Sequence, residues 1–109
     1  MKKILLDENM PRPLARYFSS DFEVLTVPDM GWASKKNGEL IKLMVEEGFE
    51  ILLTVDKGIP YQQNIKNYPI QIALVYTRDN RLKTLIPKIE LIEAALKQKK
   101  GKLIEIDLK

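Results

Sequence analysis

Two residue types that carry much of enzyme chemistry are missing from this chain of 109 residues, which contains no cysteine and no histidine. Without cysteine there can be no disulfide, no thiolate metal site and no thiol nucleophile. Without histidine there is no imidazole base or metal ligand, and no Ser–His or Cys–His catalytic arrangement. Any catalysis would therefore depend on carboxylates, lysine, hydroxyls or a metal ion held by oxygen atoms.

Long hydrophobic runs are also missing. The apolar run at residues 4–6, which follows a basic start, is too short for a signal peptide or a membrane span. The formal net charge of +3 permits an acidic partner such as RNA without requiring one. We therefore expect a cytoplasmic protein with no membrane contact, folded as a single domain over residues 1–109.

The hydrophobic pattern predicts strands that alternate with helices. Short apolar or β-branched runs predict strands at residues 2–6, 23–27, 50–54, 70–76 and 102–108. Apolar residues at helical spacing predict helices at 11–18, 37–47 and 82–98, with Gly48 as a C-cap and Pro87 tolerable only in a first turn. Residues 59–69 predict a loop with one helical turn. This order predicts an α/β protein, a three-layer α/β/α sandwich around a mainly parallel five-stranded sheet.

Acidic residues follow two of the predicted strands. Asp7 comes directly after the first strand, Asp56 follows the third, and Glu39 lies in the first turn of the second helix. Because the carboxyl ends of parallel strands share one edge of a sheet, we expect these three carboxylates to gather there. Clustered acids are costly without a cation, and oxygen ligands suit Mg²⁺ or Mn²⁺. Asp7, Glu39 and Asp56 are therefore candidate metal ligands and catalytic residues for phosphodiester cleavage.

Each acid also has a structural explanation. Asp7 could cap the first helix or hydrogen-bond a loop, and Glu39 could complement a helix dipole. Additional candidates at the same edge are Glu8, Asn9, Asn37 and Asp79.

Cationic and amide side chains flank the predicted acidic edge. Cations beside an acidic pocket are what a phosphate backbone requires, and an aromatic ring with neighbouring amides could stack on and hydrogen-bond an unpaired base. A loop whose amides satisfy its own backbone explains the amides equally well. The candidate RNA contacts are Lys36, Tyr61, Gln62, Asn64, Arg78 and Arg81.

Four blocks of the sequence, taken in order, resemble a known family. They read Ile-Leu-Leu-Asp-Glu-Asn-Met-Pro at 4–11, Gly-Trp at 31–32, Asn-Gly-Glu-Leu at 37–40 and Leu-Leu-Thr-Val-Asp at 52–56. They resemble the small bacterial PIN-like proteins that open with Leu-Leu-Asp-Glu-Asn-x-Pro. Residues 56–64 and 80–82 are similar to one branch of that family, so the resemblance covers nearly the whole chain.

The resemblance implies a PIN-like fold and a Mg²⁺- or Mn²⁺-dependent ribonuclease, of the kind that often serves as the toxin of a toxin–antitoxin pair. Asp7, Glu39 and Asp56 resemble three of the family's metal-binding acids by position. Many relatives carry a further acid shortly after the last of these, where this chain has Lys57-Gly58-Ile59. The implied partners are RNA, an antitoxin protein and a second copy of the chain, as a homodimer.

Two other functions remain open. The missing acid favours a catalytically degenerate PIN-like domain that binds RNA or a protein without cleavage. A phospho-acceptor receiver module is the third hypothesis, with Asp7 and Glu8 as its acid pair, Asp56 as acceptor and Thr77 as switch residue. That module needs a lysine after a fifth strand and a further helix, whereas the predicted order closes on a strand.

Overall fold

A parallel sheet forms the centre of the molecule. The computed structural model describes residues 1–35, 37–61 and 67–109, and only the backbone of residues 37 and 61. The strands are β1 (Lys2–Leu6), β2 (Phe22–Thr26), β3 (Ile51–Thr54), β4 (Gln71–Tyr76) and β5 (Leu103–Asp107). They lie in the order β2-β1-β3-β4-β5, and every neighbouring pair is parallel. The predicted five-stranded parallel sheet is confirmed, and the last strand lies at its edge.

Helices connect the strands. The α-helices are α1 (Asn37–Glu46), α2 (Leu82–Leu85) and α3 (Ile89–Gln98). Short 3₁₀ helices lie at Arg12–Tyr17, Pro28–Met30, Ile59–Tyr61 and Ile86–Lys88. The α/β class is confirmed, and the arrangement is compatible with the predicted three-layer sandwich. Over the described parts of the chain, no helix combines the length and the apolar character needed to cross a membrane.

Separate hydrophobic cores fill the two faces of the sheet. On one face, Leu6 and Leu53 pack with the buried residues of α2 and α3. On the other face, Leu5 and Leu52 pack with the buried residues of α1 and with Trp32. Residues 4–6 of β1 and 51–53 of β3 are all apolar because both faces of these strand segments are covered.

A glycine ends α1 and turns the chain toward β3. Gly48 has a φ of 81°, in the left-handed region where a side chain would be strained. Its N–H donates to the Val45 carbonyl at 3.1 Å, and the N–H of Phe49 donates to Met44 at 2.9 Å. This pair of bonds is a Schellman motif, and Phe49 is buried beside it in the core. The predicted C-cap is confirmed.

The two remaining predicted helices differ from expectation. The 82–98 helix is interrupted by the 3₁₀ helix Ile86–Lys88, because Pro87 has no N–H to donate and its ring crowds the preceding turn. The 11–18 helix is a 3₁₀ helix rather than an α-helix, and its first bond runs from the Leu14 N–H to the Pro11 carbonyl at 3.0 Å. Pro13 cannot donate in this segment either.

Two leucines of α3 form a matched pair for testing the packing of this helix. Leu96 is fully buried, whereas Leu91 is 55% exposed. We expect Leu96→Ala to lower the free energy of unfolding by about 2–5 kcal/mol through lost burial and a cavity. Leu91→Ala changes helix propensity equally and should cost less than about 0.5 kcal/mol. Urea denaturation measures both, and equal losses would contradict the observed orientation of α3.

Candidate functional site at the carboxyl edge of the sheet

The strand order creates a switch point between β1 and β3. The chain leaves β1 toward β2 on one side and later returns to place β3 on the other. In open parallel sheets with this order, ligands bind outside the carboxyl ends of the two strands at the switch point. Register places Leu6 beside Leu53, and the N–H of Asp7 donates to the Leu53 carbonyl at 3.0 Å. Asp7 therefore lies at the switch point, on the carboxyl edge.

Asp7 is a buried carboxylate, only 9% exposed. Its Oδ2 accepts a hydrogen bond from the Thr54 hydroxyl at 2.7 Å, and its Oδ1 accepts one from the Glu8 N–H at 2.9 Å. Among the described residues, no lysine or arginine forms an ion pair with it. Burying an ionised carboxylate is costly, and two hydrogen bonds offset only part of that cost. The remaining lone pairs of Asp7 are available to a cation.

The Thr54 hydroxyl connects the ends of β1 and β3. It donates to Asp7, as described above, and it accepts the N–H of Asp56 at 3.0 Å. The second bond is the local turn that a threonine side chain makes with the backbone two residues later. Sequence reasoning did not select Thr54 as a site residue. The signal that could have done so is the Thr-x-Asp spacing, which allows this turn.

Asn9 ties the loops of this edge together. Its Oδ1 accepts the N–H of Val55 at 3.4 Å, and its Nδ2 lies 3.4 Å from the Thr54 hydroxyl. Its backbone carbonyl accepts a bond from Asn80 Nδ2 at 2.6 Å. The loops that follow β1, β3 and β4 are therefore linked through one residue, and Asn9 lies at the predicted edge.

Asp56 is exposed and held in a tight turn. Its Oδ1 accepts the N–H of Gly58 at 2.9 Å. A Cβ added at Gly58 would lie 3.3 Å from that oxygen, so glycine permits the close approach. Asp56 thus presents a carboxylate to solvent, and the Thr54 hydroxyl bonds the Asp7 carboxylate and the backbone N–H of Asp56.

The Glu39 carboxylate forms an ion pair with a neighbouring lysine. Lys35 Nζ lies 3.2 Å from Glu39 Oε1, and the Glu39 side chain is 57% exposed. Within residues 1–35, 37–61 and 67–109, no group of three or more acidic side chains is arranged to hold a metal ion. Thr54 thus links Asp7 to Asp56, whereas joint coordination by Asp7, Glu39 and Asp56 stays a prediction. Glu8 is exposed next to Asp7. The prediction for the side chain of Asn37 lies outside the part of the chain that the structure describes.

Asp79 folds back on its own loop. Its Oδ1 accepts the Arg81 N–H at 2.9 Å, and its Oδ2 lies 3.6 Å from Arg78 Nε. The Thr84 hydroxyl and then the Arg81 N–H lower the pKa of Asp79 below its ordinary value. The Thr84 oxygen is buried and makes no hydrogen bond of standard geometry with the described residues. Asp79 therefore stabilises its loop.

The predicted RNA contacts are only partly described. Arg78 and Arg81 are exposed after β4, at the carboxyl edge. The predictions for Lys36, Gln62, Asn64 and the side chain of Tyr61 lie outside the described residues.

A further acid, Asp29, was not selected from the sequence. Thr26 and Asp29 bond reciprocally, with the Thr26 N–H donating to Oδ2 at 3.3 Å and the Asp29 N–H donating to the Thr26 hydroxyl at 3.1 Å. Arg12 Nε donates to Asp29 Oδ1 at 2.8 Å. Hydrogen bonding by Thr26, followed by Arg12, lowers the pKa of Asp29. The Thr-x-x-Asp spacing is the available sequence signal, since it resembles a capping box.

Comparison with known proteins found no family model, no curated protein and no solved structure that matches this chain. The PIN-like resemblance therefore stays a prediction from the sequence blocks.

The Thr54 hydroxyl can be tested by a double-mutant cycle. Thr54→Val keeps the shape of the side chain and should lower the free energy of unfolding by about 1–3 kcal/mol, because it leaves Asp7 and the Asp56 N–H without this partner. Combined with Asp7→Asn, it should show a coupling of at least about 0.5 kcal/mol. Thr77→Val is the control, because the Thr77 hydroxyl bonds the Asp79 carbonyl instead. If the effects of Thr54→Val and Asp7→Asn on the free energy of unfolding were additive, the Thr54–Asp7 hydrogen bond would contribute nothing to stability.

Proposed function

We propose that the carboxyl edge at β1 and β3 binds Mg²⁺ or Mn²⁺ and cleaves RNA, with Asp7 as the central ligand and Asp56 as the second. The observation that carries this proposal is the burial of Asp7 without a cationic partner among the described residues. An unpaired buried carboxylate at a switch point is a candidate cation ligand on physical grounds.

The donor set fits Mg²⁺ or Mn²⁺. Mg²⁺ is usually held by one or two carboxylates, with waters and substrate phosphates completing the octahedron. Asp7 and Asp56 would be the carboxylates that hold the ion. When bound, the ion activates a water and stabilises the leaving oxygen. Thr54 fixes the Asp7 carboxylate through its hydroxyl and the turn of Asp56 through its oxygen.

Glu39 is proposed as a third ligand that exchanges partners. An exposed lysine–glutamate ion pair contributes less than about 1 kcal/mol. Lys35 can therefore be displaced from Glu39 at little cost when a divalent ion competes for the carboxylate. The freed lysine would then be available to a phosphate group.

The family assignment and its biological setting are proposed on the sequence blocks alone. A PIN-like ribonuclease of this size would act in the cytoplasm, as the toxin partner of an antitoxin protein, and self-association as a dimer is part of the same proposal. The alternative is a degenerate PIN-like domain that binds RNA or a protein. It is favoured by the hydrogen bonds already made by both Asp7 oxygens and by the Lys35–Glu39 pair.

A receiver-like phospho-acceptor is a further alternative, favoured by one observation. The order β2-β1-β3-β4-β5 is the flavodoxin-like order that receiver domains share, and exposed Asp56 follows β3 within it. A small phosphodonor would then phosphorylate Asp56, and Asp56→Asn would abolish the added mass in a mass spectrum.

RNA cleavage by the purified protein tests the proposed function. We expect cleavage of a fluorescent single-stranded RNA that requires Mg²⁺ or Mn²⁺. The cleavage rate should fall by about 100-fold or more in Asp7→Asn, because the metal ion that Asp7 holds lowers the activation barrier by several kcal/mol. Asp21→Asn is the matched control, since Asp21 pairs with Lys97 away from this edge. Equal rates in the wild type and Asp7→Asn would contradict the proposal.

Metal binding can be measured apart from cleavage. Because a ligand that binds only the folded state raises its stability, millimolar Mn²⁺ should raise the melting temperature of the wild type and of Asp21→Asn. Asp7→Asn should show a much smaller shift. A metal-induced shift without cleavage would favour the degenerate binding domain, and no shift in any variant would exclude Asp7 as a ligand.

A further inference from the structure

A cavity of about 770 Å³ opens at the carboxyl edge beside β4 and β5, away from the β1–β3 switch point. We call it the basic cavity. Its volume lies in the range of small-molecule sites. Its lining residues include Arg78, Lys83, Pro87, Lys88, Leu108 and Lys109.

Positive charge dominates the basic cavity. Four of its lining residues are lysine or arginine, and no acidic residue lines it. Among the described residues, no acidic side chain forms an ion pair with Lys83, Lys88 or Lys109. Two nearby acids are engaged elsewhere, since Asp79 binds the loop of Arg78 and Asp107 accepts the backbone N–H of Lys109 at 2.9 Å. Like charges around one concave surface are most stable with an anion between them.

Two of these lysines lie on consecutive short helices that line the basic cavity. Lys83 lies in α2, and Lys88 ends the 3₁₀ helix that Pro87 imposes. Lys83, Thr84, Pro87 and Lys88 all line the cavity and follow the spacing of one helical face. Two lysines therefore line one wall of the basic cavity, and lysine ammonium groups are donors for phosphate oxygens.

The basic cavity also has an apolar part. Pro87 and Leu108 line it together with the cations. Inorganic phosphate would leave these apolar groups unused, whereas a nucleoside would cover them with its base. A ligand with an anionic group and a flat apolar body matches both parts of the lining.

We infer that the basic cavity binds a nucleoside monophosphate group, with its phosphate at Lys83 and Lys88 and its base against Pro87 and Leu108. The 5′-phosphorylated end of an RNA strand and a free mononucleotide present the same chemistry. This inference does not rest on the proposed metal site, because none of its cationic groups belongs to that site.

Binding of adenosine 5′-monophosphate in the presence of EDTA tests the inference without metal or cleavage. Titration followed by NMR should show binding that weakens as salt rises, and adenosine, lacking the phosphate, should bind at least tenfold more weakly. The double variant Lys83→Gln/Lys88→Gln should bind adenosine monophosphate at least tenfold more weakly than the wild type. Its thermal melt confirms folding, and Lys109→Gln provides a second variant in the same cavity.

The matched control is Lys42→Gln/Lys100→Gln, which removes the same charge from two exposed lysines outside the cavity. An equal loss of binding in the control would overturn the inference, as would equal affinity for adenosine and its monophosphate or no binding at all. Binding of a 5′-phosphorylated RNA trinucleotide distinguishes the two possible ligands, an RNA 5′ end and a free mononucleotide. Tighter binding of the trinucleotide than of the monophosphate would identify an RNA end, and equal binding would identify a free nucleotide.

Discussion

A single hydroxyl group organises the carboxyl edge of this protein. Thr54 Oγ1 has one proton, which it gives to the buried Asp7, and its oxygen accepts the Asp56 N–H. The bond to Asp7 crosses from the end of β1 to the end of β3, and the bond to Asp56 bends the chain as it leaves β3. Apolar replacement of this group removes one hydrogen bond from the buried Asp7 carboxylate and another from the Asp56 N–H. The geometry of both acids therefore depends on this one side chain.

Most of the fold could be predicted because burial and backbone conformation restrict which residues can occupy its strands and helix ends. Ile4, Leu5 and Leu6 are apolar at every position because helices cover both faces, and Gly48 ends a helix because only glycine adopts its φ without strain. The break at Pro87 was harder to predict. Leu85, Ile89, Ile92 and Leu96 are all buried on the same core, so the hydrophobic stripe continues through a segment whose hydrogen bonding changes. Hydrophobic periodicity indicates which residues face a core, and it does not show which backbone hydrogen bonds the segment makes.

The sequence was sufficient to predict which edge of the sheet carries the candidate site. It was not sufficient to predict which side chains contact one another there. Parallel strands place their carboxyl ends on one edge, which is sufficient to bring Asp7 and Asp56 to the same region. Which groups touch depends on register, and the pairing of Leu6 with Leu53 is what sets Asp7 beside Thr54. Register is fixed by packing across the whole sheet, so no local sequence signal specifies it. The Lys35–Glu39 ion pair could not be predicted from helical spacing, because Lys35 precedes α1.

The carboxyl edge carries opposite charges in two of its parts. The β1–β3 part holds Asp7 and Asp56, whereas the β4–β5 part holds the basic cavity. A phosphate group approaching this edge is repelled by the first part unless a cation lies there, and it is attracted by the second part under all conditions. A polyanion would therefore associate first beside β4 and β5, at a rate that falls with ionic strength.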